Sequence, residues 1–281
     1  MYGQFFILFG LILVGYYCNK KGYLPMETNK NVGNMVMRVT IPAMLITTIA
    51  GIEITDRVLK AFLFSAAGQA AMMVVFGFLM RQYGRKRGLD SRLLPMLDLT
   101  AGSLNTGFIG LPVTMIFFGQ AGIIYMSAGV LALNLYLWSY GVYLISDKKV
   151  TGAAAIGKSF LQGAINPNCI SILLGLLLAV THTARFVPTV VLGFLTKVGD
   201  LSTPLSLIYI GALAGGSGIV QLFKEKMALE ISVVKMIGMP ALAILAMLFI
   251  PADGLAKSVF LLSVCMPSAA ADDGRQIRLW G

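Results

Sequence analysis

Apolar runs of near-membrane length dominate the chain and constrain its fold more than any single motif does. A bilayer core about 30 Å thick needs roughly 20 mostly apolar helical residues. Nine runs near that length, each bounded by charge or turn residues, lie at about 2–18, 31–50, 58–80, 96–118, 122–145, 166–181, 188–214, 227–250 and 255–271. The expected class is therefore an all-α integral membrane protein. Composition agrees: 57% of the 281 residues are hydrophobic and 12% charged, about half the charged share of a soluble domain. The first run starts at the initiator Met with no basic flank before it, and Lys20 and Lys21 follow it. It reads as a retained helix rather than a cleaved leader.

The net charge of +10 does not point to nucleic acid, because no stretch interleaves basic residues with stacking aromatics. It reads instead as a topology signal. Loops after odd-numbered spans hold thirteen basic residues, including Lys20, Lys21, the Arg81–Arg92 group, Lys148, Lys149, Lys158 and Lys224, against Arg57, Lys60 and Arg185 on the other side. Short cytoplasmic loops carry the excess of Lys and Arg, so the expected protein is multi-pass in the plasma membrane with its N-terminus outside. Cys18, Cys169 and Cys265 share no short spacing and His182 is the one histidine, so neither a disulfide framework, a metal centre nor a cofactor is expected. No ATP-binding glycine loop is present either, and no enzyme is expected.

The two halves of the chain resemble each other. Phe9-Gly10-Leu11-Ile12-Leu13-Val14 matches Leu174-Gly175-Leu176-Leu177-Leu178-Ala179, Thr40-Ile41-Pro42 matches Ser202-Thr203-Pro204, and Pro112 falls opposite Pro267, all at offsets near 160 residues. Five spans separate equivalent helices, and an odd number makes the second copy enter from the opposite face, so the repeat is inverted. The expected domains are a first five-helix repeat over 1–146, a cytoplasmic connector over 147–165 and a second repeat over 166–281.

Span four carries Ser103-Leu104-Asn105-Thr106-Gly107-Phe108-Ile109-Gly110-Leu111-Pro112. Pro112 removes a backbone donor and the two glycines tolerate unusual angles, so a break is expected here. Unwound backbone at membrane depth persists where it is buried in protein or lines a cavity. A half-helix starting near Pro112 would aim its positive end at the break, where an anion could sit, with Asn105 and Thr106 supplying neutral hydrogen bonds. The alternative is a kink packed against neighbouring helices.

Taken in order, Asn105 to Pro112, Phe117-Phe118-Gly119, Asn166-Pro167-Asn168 and Gly199-Asp200-Leu201-Ser202-Thr203-Pro204-Leu205 resemble the bacterial branch of the auxin efflux carrier family over about residues 5–267. The resemblance implies a ten-helix carrier of two inverted five-helix repeats, with helices four and nine broken at prolines and crossing at the substrate site. It places Asn105, Pro112 and Pro267 on that crossover and implies export or exchange of a small organic anion such as a dicarboxylate. Thr106, Gly107 and Asn134 complete the candidate substrate site; for Asn134 an ordinary interhelical hydrogen bond is an equal alternative. Asp200, an ionisable group in span seven, is the coupling or gating candidate, with an ion pair to Lys197 as the structural alternative. Arg38 and Lys235 are expected to snorkel toward the cytoplasmic surface, Gly211 and Gly215 to pack helices closely, and His182 to lie at an interface.

The expected function is thus a secondary transporter working by alternating access, with a membrane receptor or sensor on the same fold as the competing class. Expected partners are the organic anion, the bilayer, a proton or sodium ion for coupling, and a second copy in a homodimer. After Pro267 the pattern departs from the family, running Ser268-Ala269-Ala270-Ala271-Asp272-Asp273. Adjacent aspartates oppose continuation into hydrocarbon, so the second half of helix nine and helix ten are expected to be missing, by a frameshift or truncation, leaving a chain that is inactive or poorly stable.

Overall fold

The computed structural model describes residues 2–145, 161, 165–216, 226–247 and 254–268. The expectations for the connector lysines and for residues 269–281 fall outside these residues. Every regular element among the described residues is helical. In chain order they are α1 (Tyr2–Lys20), α2 (Met26–Ala50), α3 (Asp56–Lys86), α4 (Leu94–Gly102), α5 (Leu111–Tyr136), α6 (Pro167–Val180), α7 (Thr189–Asp200), α8 (Ser202–Gly216), α9 (Lys226–Met247) and α10 (Gly254–Val264). Five helical stretches are long and apolar enough to cross a membrane: Tyr2–Lys20, Met26–Ala50, Asp56–Lys86, Leu94–Leu144 and Thr189–Gly216.

Local chemistry explains several boundaries. Thr55 caps α3 by accepting from Val58 N, Asp56 sits in its first turn, and Arg85 and Lys86 occupy its last, each charge opposing the helix dipole at its end. α6 opens with Asn166 accepting from Asn168 N and with Pro167 in the first turn, where a missing amide hydrogen costs nothing. The Leu94–Leu144 stretch folds back on itself at Gly119, whose φ of 62° and ψ of −159° belong to a backbone region reserved for glycine. This turn separates the sequence runs 96–118 and 122–145.

The side-chain distribution is the reverse of that in a soluble domain. Leu13, Leu63, Phe78, Leu177, Phe194 and Ile237 face outward, while Asn29, Gln69, Asp98, Thr106, Asn168 and Lys235 are buried. Such a surface suits hydrocarbon. Burial of Lys235, at 4% exposure, overturns the expectation that it snorkels; Arg38 is exposed.

α1 packs along α8 and α6 packs along the second half of α2. A Cβ on Gly15 would strike the Ile208 carbonyl and one on Gly211 the Ile12 carbonyl. The two backbones therefore touch, and Gly211 is a packing glycine as expected. Gly215 lies likewise against Asn19. The second body of the fold is α3, α4, α5, α9 and α10, cored by Met73, Phe76, Leu104, Tyr136, Met239 and Phe260. At one end of this body Glu230 accepts from the Tyr83 hydroxyl and pairs with Arg87 at 2.8 Å, tying α3 to α9.

Candidate functional site

The helix of span four is interrupted at 103–105, upstream of the proline that suggested the break. α4 ends where Ser103 turns extended (φ −66°, ψ 143°), and Asn105 (φ −80°, ψ 64°) leads into a five-residue π turn, Thr106–Gly110, that flows directly into α5. Pro112 sits in the first turn of α5 with no break beside it. The wide turn is the reason. A proline ring collides with the carbonyl four residues back, and a π turn, which bonds five residues back, widens the coil just ahead of the ring and eases that collision. Pro42 is accommodated in the same way, one residue after the π turn Val36–Thr40 and Ile41.

Asn105 is the hinge of the interruption. Its backbone N–H donates to the Pro267 carbonyl at 2.8 Å, so the segment after α10 meets the break directly. Its Oδ1 accepts from Phe108 N at 3.1 Å and its carbonyl from Gly110 N at 2.9 Å. The side chain thus caps the limb that leads to Gly119, satisfying one of the free amides at the positive end of a helix. Thr106 is fully buried, and its hydroxyl has no partner among the described residues. Gly107 lies under the Met37 thioether. The next residue, Phe108, stacks on Tyr209 of α8 with ring centroids 4.8 Å apart. The structure therefore brings Asn105, Thr106, Gly107 and Pro267 together and leaves Pro112 further along the limb. Asn134 donates to Val130 O of its own helix at 2.8 Å and makes no hydrogen bond to that group.

Two charged residues flank the break. Asp98 of α4 is fully buried. Its Oδ2 accepts from the Tyr140 hydroxyl at 3.0 Å and lies 3.8 Å from the Arg81 guanidinium, while Tyr136 donates to its carbonyl at 3.3 Å. Lys235, reaching over from α9, places its Nζ on the Ser103 carbonyl, 2.8 Å from the Ser268 hydroxyl and 3.5 Å from the Thr100 carbonyl. The ammonium thus caps the negative end of α4. The sequence contained signals for both residues. Asp98 interrupts an otherwise apolar run, and Lys235 lies nine residues into α9, about 13 Å along its axis, too deep for its stem to reach the helix end easily.

Asp200 lies elsewhere. It lines a cavity of about 230 Å³ with Thr47 and Thr48 of α2, Met115 and Gln120 of the α5 region, Thr196 of α7 and Thr203 of α8. Asp200 is exposed, and among the described residues no ion pair joins it to Lys197. The cavity lies between α2, α7 and the limb ending at Gly119, and neither Asn105 nor Pro267 lines it. Met115 is nine residues beyond Thr106, roughly 13 Å along the limb, so cavity and break are separate features. No group of three or more His, Cys, Asp or Glu among the described residues could hold a metal ion.

Comparison with known proteins agrees with this architecture. The model of a family described as membrane transport protein matches residues 1–271. An uncharacterized transporter of Methanothermobacter thermautotrophicus is 26% identical over 263 residues, covering 92% of this chain and 82% of its own length. Another, from Methanocaldococcus jannaschii, is 26% identical over 266 residues, covering 92% and 83%. With residues 1–271 matched, the chain belongs to the membrane transport protein family, the auxin efflux carriers whose motifs it shares.

Proposed function

We propose that this protein is a secondary transporter that exports or exchanges a small organic anion across the plasma membrane by alternating access. The observation that carries the reading is the Asn105–Pro267 backbone hydrogen bond of 2.8 Å, which joins the interruption of span four to the non-helical residues after α10. Interrupted backbone at membrane depth needs protein or a cavity around it, and transporters place their substrate sites at such breaks. Here the limb entered at Thr106 aims its positive end at the break, and Asn105, Thr106, Gly107 and Pro267 form the substrate contacts, with Pro112 shaping the limb and Asn134 behind it.

The inverted-repeat reading is supported by the helix packing. α1 packs on α8 while α6 packs on α2, and each pairing becomes the other when the halves are exchanged. On this reading nine spans are present, the repeats occupy 1–146 and 166–281, and 147–165 connects them on the cytoplasmic side. The thirteen-to-three basic asymmetry puts the N-terminus outside. The Asp200 cavity then opens near the outer face, where the carboxylate and its threonine neighbours suit a coupling proton or sodium ion.

The test is a counterflow screen of radiolabelled mono- and dicarboxylates in proteoliposomes. Accumulation of at least one carboxylate against an unlabelled internal pool is expected. Saturable binding without any counterflow would favour a membrane receptor on the same fold, and neither binding nor counterflow would overturn the anion reading.

A further inference from the structure

The described residues give the buried ammonium of Lys235 no counter-charge. Lys235 is 4% exposed, and its three polar neighbours among the described residues, the Ser103 and Thr100 carbonyls and the Ser268 hydroxyl, are all neutral. Among the described residues the ion pairs are Arg81–Asp98 and Arg87–Glu230, and no carboxylate pairs with Lys235. A charge withdrawn from water is held most economically by an opposite charge, and dipoles alone replace its hydration incompletely. Asp98, four residues before Gly102, has such a partner in Arg81. Lys235 does not.

Its position is equally specific. Ser103 is the first residue of the interruption in span four and Ser268 follows Pro267, so one ammonium touches both the interruption and the segment after α10. Two residues beyond Ser103, Asn105 makes no hydrogen bond through its side-chain amide nitrogen to any described residue, and Thr106 Oγ1 is fully buried without a partner. The positive end of the limb starts at the same point and adds a fixed partial charge of the same sign. Ammonium, amide, hydroxyl and helix end all favour a negative group, and no anionic side chain among the described residues supplies one.

We propose that Lys235 is the charged contact for one carboxylate of the substrate at the crossover, the ammonium exchanging the Ser268 hydroxyl or a carbonyl for a carboxylate oxygen as the site opens. This deepens the organic-anion reading and rests on it. A lysine is a point charge on a flexible stem and imposes no two-pronged geometry. Lys235 is also the buried cation among the described residues. The site therefore pairs one carboxylate, and a second carboxylate on the substrate gains no matching buried charge from the described residues.

The experiment has two arms on the full-length protein. In the first, purified protein is treated with trinitrobenzenesulfonate, an anionic amine reagent, in sodium chloride or in sodium benzoate or malonate at equal ionic strength, and modification of Lys235 is followed by peptide mass spectrometry. Modification is expected, slowed about tenfold or more by the carboxylates. Modification only after denaturation, or at one rate in every salt, overturns the proposal. In the second, Lys235→Arg and Lys235→Gln are compared in carboxylate counterflow. Arg should retain transport, and Gln should weaken apparent affinity about ten- to a hundredfold, the value of a hydrogen bond to a charged group. Wild-type affinity in the Gln variant overturns the proposal while leaving the transport reading intact. Carboxylate protection of Lys235 without counterflow of any anion upholds the site and removes transport.

Discussion

Asp98 and Lys235 are both buried and both ionisable, one carried by the nine-residue helix α4 and the other reaching its end from α9, yet their surroundings differ in kind. Asp98 is enclosed by a tyrosine hydroxyl, a guanidinium and the close backbone of Gly77, where an added Cβ would run into its carboxylate. Among the described residues, Lys235 meets only neutral oxygens, at the point where α4 stops. A buried carboxylate with its own cation is part of the scaffold that joins α3, α4 and α5. A buried ammonium with dipoles alone still attracts a counter-charge, and its place at the interruption makes it available to a passing anion. The contrast separates what holds the helix from what the helix presents.

The largest effect should come from reversing the unpaired charge. Lys235→Glu sets a carboxylate against the Ser103 and Thr100 carbonyls, and a loss of about 3–5 kcal/mol is expected, the range for a buried charge without its partner. Lys235→Met should keep the fold, and thermal midpoints in detergent would compare the two. Equal midpoints for the Glu variant and the wild type would show that the site is not electropositive. Gly77→Ala should follow, at about 1–3 kcal/mol for overpacking, because the new methyl would overlap Asp98 Oδ1 and lie 2.7 Å from its main-chain oxygen. Thermal denaturation reads it directly.

Asp98→Asn should cost less, about 1.5 kcal/mol, since an amide oxygen still accepts from Tyr140. Its apparent affinity in counterflow should stay at the wild-type value, whereas Lys235→Gln shifts affinity; an affinity change in both would erase the distinction between the two residues.

Parts of the site were readable from residue order. Gly107, Gly110 and Pro112 announced an irregular stretch, and the structure has one, but at 103–105. Proline's incompatibility with α-helix was absorbed by the π turn before it, a solution that local sequence does not distinguish from a break. Asn105 is expected to meet an anion through its side chain; its Oδ1 caps its own limb, and its amide nitrogen makes no hydrogen bond among the described residues. Lys235 was read as a surface lysine because snorkelling is the common fate of a cation in an apolar helix. The rule failed because carbonyls at the end of α4 accept from its amine.

Hydropathy and run length alone determined the all-helical membrane class, most helix boundaries to within a few residues, and the turn at Gly119, because each depends on neighbours in the chain: a helix satisfies its own backbone, and lipid demands apolar runs of a set length. Tertiary structure alone decided where span four stops, which charges are paired, and what Lys235 touches. Its Ser103 contact joins residues 132 apart in sequence, and the partner of a buried charge is chosen by whichever polar atoms the packed helices bring within hydrogen-bond reach, a distance of about 3 Å that no sequence window contains.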